Sequence, residues 1–189
     1  MVHGFYGILQ GGFFVKCRAG TSVRLFLCED LGLNPRYVDE RITTIFIDGS
    51  CVDNIDRASL WEGSTLALSS AMPGLAGATL RRKSIYASMR SSITYAEDIN
   101  KHQEDDVLIK IKIFNLLIDE LGPIFLQRGI FLRESEVIDL LKDKNETFWN
   151  MCSEMIVDGT IVDRKFLLHA QEPSRSDFVH FIVRFNVEQ

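Results

Sequence analysis

The sequence is short of the features that most often announce a function. It has 4 prolines in 189 residues and no stretch that approaches the ~18 uninterrupted apolar residues of a membrane-spanning helix. Its 4 cysteines, Cys17, Cys28, Cys51 and Cys152, form no CxxC pair and show no Cys/His metal spacing. That removes the common zinc and redox frameworks, and the thiols read as reduced, small buried hydrophobes. The N-terminal MVHGFYGILQGGFFV lacks the basic start of a secretion signal, so the expected address is cytoplasmic with no membrane. Positive charge is also in deficit. With 21 Lys+Arg against 26 Asp+Glu the formal charge is −5, which argues against broad binding to nucleic acid or anionic membrane.

What is present is ordinary globular composition, 46% hydrophobic and 25% charged, in a length that suits one domain or two small ones. His3–Gln10 and Phe13–Cys17 are aromatic and β-branched and flank Gly11-Gly12, which predicts a hairpin. Thr21 or Ser22 then caps a helix with Val23, Phe26, Leu27 and Leu31 on one face and Gly32 at its end. After Asn34-Pro35 and a polar crossover, Thr43–Ile47 reads as a strand. Asp48-Gly49 makes a turn into a short extended piece at Cys51-Val52, and Ser64–Ser69 closes as a last strand after the Glu62-Gly63 turn. Five strands and one helix in this order predict an α+β fold, an N-terminal ubiquitin-like β-grasp domain over residues 1–77.

The segment TTIFIDGSCVDNIDRASLWEGSTLALSSAMPGLAG resembles the second half of the ubiquitin-like sulfur carriers, the small subunit of molybdopterin synthase and the thiamine sulfur carrier. The matching positions are Ile45–Asp48-Gly49, Val52, Glu62-Gly63 and Leu66–Leu68, followed by Pro73-Gly74 and Gly77. Upstream, GTSVRLFLCEDLGLNP resembles the helix of that family. The resemblance implies a partner protein, an enzyme of sulfur or cofactor metabolism, that receives the tail after the last strand. By it, Met72, Pro73, Gly74, Leu75 and Gly77 are the expected partner contacts, with the basic Arg81 and Arg82 beside them. A sulfur carrier ends in a free Gly-Gly carboxylate, whereas here Gly74 and Gly77 are separated and the chain continues. The reading is therefore a non-enzymatic protein-binding adaptor, with a carrier precursor processed after Gly77 as the alternative.

Residues 78–104 read as a connector with one possible extra strand over Ser84–Tyr95, and 105–189 as a second, helix-rich α+β unit. Val107–Ile113 alternates like a strand, yet Val107, Ile111, Phe114, Ile118 and Leu121 also follow a helical stripe that favours a helix from about Asp106. A break is expected at Gly122-Pro123. A short strand at Ile130–Leu132, helices at Ser135–Lys142 and Thr147–Val157, and a hairpin of Thr160–Leu168 with Phe178–Phe185 complete a winged-helix-like order. Such a unit suggests a second alternative, a nucleic-acid-binding regulator, although Glu146 and Glu154 on its third helix do not suit phosphates.

Chemistry-bearing clusters are sparse. His169 and His180 lie on the last hairpin without a third ligand, so no metal site is expected. The acidic runs at Glu29-Asp30, Asp39-Glu40 and Glu104–Asp106 flank turns and helix ends, where solvated charge is ordinary, so no catalytic residue is assigned. Gly11-Gly12 and Pro73-Gly74 lack the context of phosphate loops, and no cofactor is expected. Arg81, Arg82, Lys83 and Arg90, interleaved with Tyr86 and Tyr95, form the one basic-aromatic stretch, and an acidic partner surface is its expected ligand.

Overall fold

A computed structural model describes residues 2–70, 74–82, 84–86, 95, 105–163 and 178–186. The expected N-terminal hairpin is a helix. His3–Phe5 forms a 3-10 turn that runs into α1 (Tyr6–Gly11), and Gly12, at φ +112°, ends it. Val2, Phe5 and Leu9 are buried, and this spacing puts one apolar stripe on a helix. Residue types favoured a strand, but the spacing of the large apolar groups decides. Strand β1 (Phe13–Arg18) then alternates buried Phe13, Val15 and Cys17 with exposed Lys16 and Arg18.

The chain divides into two compact units, Val15–Leu117 and a second made of Met1–Phe14 with Ile118–Gln189. The division falls after Leu117 rather than near residue 104, because the strand that starts just after residue 104 belongs to the sheet of the first unit.

In the Val15–Leu117 unit, Ser22 accepts a hydrogen bond from the Leu25 amide and opens α2 (Val23–Leu25), which widens into a π-helical turn at Phe26–Asp30. Val23, Phe26, Leu27 and Leu31 are buried as expected, and Gly32 leaves the helix at φ +70°. The Asn-Pro pair starts an unexpected helix, α3 (Pro35–Glu40), with Asn34 accepting from the Arg36 amide and Pro35 in the first turn. β2 (Thr44–Ile47) and β3 (Ser50–Cys51) pair across Asp48-Gly49, both at positive φ, the two-residue hairpin turn that Asp-Gly favours. β4 (Thr65–Ser69) lies antiparallel to β2, with Thr44 opposite Ser69.

The helix expected from Asp106 is a strand, β5 (Asp106–Phe114). Val107, Ile109, Ile111 and Ile113 are all buried, and β5 runs parallel to β4 with Leu66 opposite Ile111. Pairing with β4 selects the two-residue period over the competing helical one. The strand order in this unit is β3-β2-β4-β5-β1. After β4, α4 (Gly74–Leu80) stands where a glycine-rich tail was expected.

The other unit combines α1 and the start of β1 with α5 (Leu117–Arg128), β6 (Ile130–Arg133), α6 (Glu134–Leu141) and α7 (Glu146–Met151). β7 (Cys152–Val157), β8 (Thr160–Ile161) and β9 (Phe178–Phe185) complete it, in the order β1-β6-β9-β7-β8. The predicted break in α5 is absent, and Pro123 sits inside a continuous helix. Gly122 faces α1 so closely that a Cβ there would lie 2.8 Å from Leu9, so this glycine serves packing and not a turn. The helix expected over Thr147–Val157 stops at Met151, where the chain turns extended to pair with β9. Phe5 anchors the core, with ring centroids 5.0 Å from Phe148 and 6.0 Å from Phe185.

Among the described residues no helix is long and apolar enough to cross a membrane. All 4 cysteines are free thiols; Cys17, Cys51 and Cys152 are buried and Cys28 is partly exposed. Burial, helped by the nearby charges of Asp30, Asp106 and Glu62, pushes the Cys17 thiol up to about 12, and burial alone pushes Cys152 to about 11. Native protein should therefore take up maleimide at Cys28 well before the other three, measured by mass spectrometry of timed aliquots. Equal labelling of Cys17 and Cys28 without denaturant would contradict this core. The same shifts carry a sign. Above pH ~9 the unfolded chain releases thiol protons that the folded chain keeps, so stability falls as pH rises from about 9 toward 12.

Candidate recognition groove

β2 and β4 end side by side in hydroxyl residues, Thr43-Thr44 on one and Ser69-Ser70 on the other, because Thr44 and Ser69 are in register. The Thr43 hydroxyl donates to the Ser70 carbonyl and ties the two strand ends together. α4 opens at Gly74 (φ +73°), and past its end the Arg82 amide donates 2.8 Å to the Thr43 carbonyl, which returns the chain to β2. Between strand ends and helix lies a groove of about 300 Å³ lined by Thr43, Thr44, Ser70, Gly74, Gly77, Ala78 and Arg81.

Three properties set the chemistry of this groove. Gly74, Gly77 and Ala78 make a wall with almost no side chain, which lets a ligand approach the helix closely. The Thr44 and Ser70 hydroxyls are buried without a hydrogen-bond partner among the described residues. Arg81 is exposed and supplies the one charged side chain among these lining residues, a guanidinium that suits oxyanions. A cation, with no carboxylate among the described lining residues, suits a negatively charged group.

The sequence-predicted contacts divide. Gly74, Gly77 and Arg81 come together in the groove, whereas Met72 and Pro73 lie outside the described residues and Leu75 lies within α4. Arg82 is not a surface contact. It is 8% exposed and donates through Nη2 to the Val38 and Ile42 carbonyls, both at 2.8 Å, and through Nε to Ile42 at 3.0 Å. Burial pulls its pKa below the usual value, opposed by Asp39, and it remains a cation that closes the end of α3. Gly77 is buried inside a helix rather than part of an extended tail, so bulky replacements at Gly74 or Gly77 would disturb the fold as well as any ligand.

Thr43, Thr44 and Ser70 are the residues that sequence reasoning missed. The available signal was a pair of hydroxyl residues, Thr43-Thr44 and Ser69-Ser70, at one end of each of two predicted strands. Elsewhere, His180 stacks on Phe131 at 4.8 Å on the less buried face of β9, and His169, Lys83 and Arg90 lie outside the described residues. Tyr95 is tied down, its amide donating to the Cys51 carbonyl and its hydroxyl to the Ser59 carbonyl. A second concavity of about 460 Å³ lies beside His3, Lys144 and Phe148, but Lys144 already donates to the Gly4 carbonyl and sits 5.1 Å over the Phe148 ring. Among the described residues no three His, Cys, Asp or Glu side chains are grouped to hold a metal ion. Comparison with protein families, with curated proteins and with solved structures finds no match for this chain.

Proposed function

We propose that this chain is a non-catalytic recognition module whose α4 groove receives an acidic group presented by a partner protein. The observation that carries the reading is the lining itself, exposed Arg81 against a wall of glycine and alanine. It joins Gly74 and Gly77, singled out by their resemblance to the tail of a sulfur carrier, and the basic Arg81 to one cavity. An enzyme of sulfur or cofactor metabolism is the partner class that this resemblance suggests.

The strand order supports a β-grasp reading in altered form. A β-grasp sheet holds two parallel strands at its centre, the first and last of the domain, with the partner of the first strand on one flank. Here β4 and β5 run parallel in the middle of β3-β2-β4-β5-β1, with β1 beside β5. Asp106–Phe114 thus fills the place that the expected N-terminal strand would have taken, a circularly permuted β-grasp. The carrier-precursor alternative fares poorly against α4, since cleavage after Gly77 would have to unwind a helix in which that residue is buried. In the other unit, α5, β6, α6, α7, β7 and β9, with β9 between β6 and β7, support the winged-helix-like reading. Its α7, Glu-Thr-Phe-Trp-Asn-Met, carries no cation to meet a phosphate backbone, which favours the protein-binding role.

A photo-crosslinking amino acid at Ala78 tests this, with the same group at exposed Ile161 as control. A protein adduct formed at position 78 in native lysate, absent at 161 and abolished by Arg81→Glu, is expected. Adducts indifferent to Arg81→Glu would overturn the groove as the recognition site.

A further inference from the structure

A surface separate from the groove carries an anomaly of its own. In the unit of Met1–Phe14 with Ile118–Gln189, the side chains of Met155, Val157, Phe181 and Val183 are buried on the inner face of the sheet. The opposite face of an antiparallel sheet is then ordinarily polar, because it meets water. Here it is largely apolar. Ile156 of β7 stands in register with Ile161 of β8 on one side and Ile182 of β9 on the other, so three isoleucines lie abreast. His180 and Phe178 follow on the same face of β9. Ile161 is 64% exposed and Phe178 36%, and Ile156, Ile182 and His180 are partly exposed. The adjoining row is charged, with Glu154 opposite Arg184 at 3.0 Å and both side chains reaching solvent.

We propose that a second copy of this chain docks on this face, in a two-fold symmetric dimer. An interface of that kind must be complementary to itself. Consider a two-fold axis in the plane of the interface, parallel to the strands and midway between β7 and β9. It sets Ile156 of each copy over Ile182 of the other, which removes both from water. The same axis sets Glu154 of each copy over Arg184 of the other, so every charge meets its opposite. Ile161, one strand further out, reaches over β6 of the other copy, as the order β6-β9-β7-β8 requires. A partner carrying one sign of charge would leave either Glu154 or Arg184 facing its like. Three strands at ~4.8 Å spacing make a narrow strip, short of the ~800 Å² per partner of a tight complex, so the dimer forms at micromolar concentrations or above.

Sedimentation velocity of the full chain from ~1 to ~500 µM tests this, with amide chemical shifts followed over the same range. A monomer–dimer equilibrium is expected, with concentration-dependent shifts at Ile156, Ile161 and Ile182. Ile161→Glu, at an exposed position, should raise the dissociation constant at least tenfold without lowering the melting temperature of the dilute monomer. Leu25→Glu, at a 52% exposed apolar site in the Val15–Leu117 unit, should leave the dissociation constant unchanged. The charged row gives the sharper test. Glu154→Arg and Arg184→Glu chains should each stay monomeric alone and associate when mixed, since only the mixture sets opposite signs over each other. A photo-crosslinking group at position 161 should join two copies at high concentration and take no other protein in dilute lysate. A chain monomeric at ~500 µM, a dimer indifferent to Ile161→Glu, or a mixture no tighter than its components overturns the proposal. An adduct of position 161 with a different protein overturns it too, and assigns the face to that protein. The groove reading stands or falls apart from these results, on the Arg81 dependence at position 78.

Discussion

Replacement of Arg82 by methionine is expected to lower the stability of the Val15–Leu117 unit by about 3 kcal/mol, while Arg81→Met changes it by no more than about 0.5 kcal/mol. The two arginines are adjacent in sequence and opposite in circumstance. Arg81 is exposed, and Arg82 is buried with three hydrogen bonds to the Val38 and Ile42 carbonyls. Methionine fills most of the stem volume but leaves those carbonyls without donors, at about 1–3 kcal/mol for each buried orphan. Part of that loss is returned, because the guanidinium is itself desolvated and its Nη1 has no partner among the described residues, so the variant also sheds an unfavourable burial. Urea denaturation followed by a probe in this unit, such as Trp61 fluorescence, measures the difference. Equal midpoints for the two variants would mean that Arg82 does not hold α3 to the segment after α4.

Gly129→Ala should cost roughly 2–4 kcal/mol in the other unit, well beyond what alanine ordinarily costs in that backbone conformation. Gly129 ends α5 at φ +101°, where its amide donates 3.0 Å to the Phe125 carbonyl. A Cβ there would lie 2.1 Å from Nε2 of His180, whose ring stacks on Phe131. The imidazole would have to leave its stack to make room. Gly159→Ala is the matched control, since Gly159 also has positive φ, +81°, but a Cβ there meets nothing within 4 Å. Conformational strain alone, about 1 kcal/mol, is expected for the control. Thermal melts of both variants beside the parent give the comparison. Identical shifts would remove the steric contact from the explanation and leave backbone strain alone.

What the sequence disclosed and what it hid have physical causes. The helix at Val23–Leu31, the Asp48-Gly49 turn and the strands at Thr44–Ile47 and Thr65–Ser69 were legible because their signals are local: a serine cap, a left-handed Gly32, a turn dipeptide and β-branched runs. Three segments were misread because their partners are remote. Asp106–Phe114 satisfies two periodicities, and only pairing with β4 chooses one. Cys152–Val157 carries a helical stripe that yields to hydrogen bonds with β9. His3–Gly11 has the residue types of a strand and the apolar spacing of a helix, and packing of Phe5 against Phe148 and Phe185 favours the spacing. The groove was half legible. Gly74 and Gly77 stood out through the resemblance and Arg81 as part of a basic run, whereas Thr44 and Ser70 come to the groove only through the register that places their strand ends together.

The partition into Val15–Leu117, flanked by Met1–Phe14 and Ile118–Gln189, has a consequence for how the chain is made. Synthesis runs from the N-terminus at ~5–20 residues per second. β1 emerges first, yet its neighbour β5 emerges only after some ninety further residues, so the middle of that sheet stays open until Phe114 has left the ribosome. Met1–Phe14 waits longer still, since Leu9 packs on α5 and Phe5 is fully enclosed only when Phe181 and Phe185 of β9 join Phe148. A chain released before β9 would hold that apolar helix with only part of its core, lacking the Phe181 and Phe185 contacts of Phe5. Truncation within the C-terminal strands is thus felt in a helix more than 160 residues earlier in the sequence.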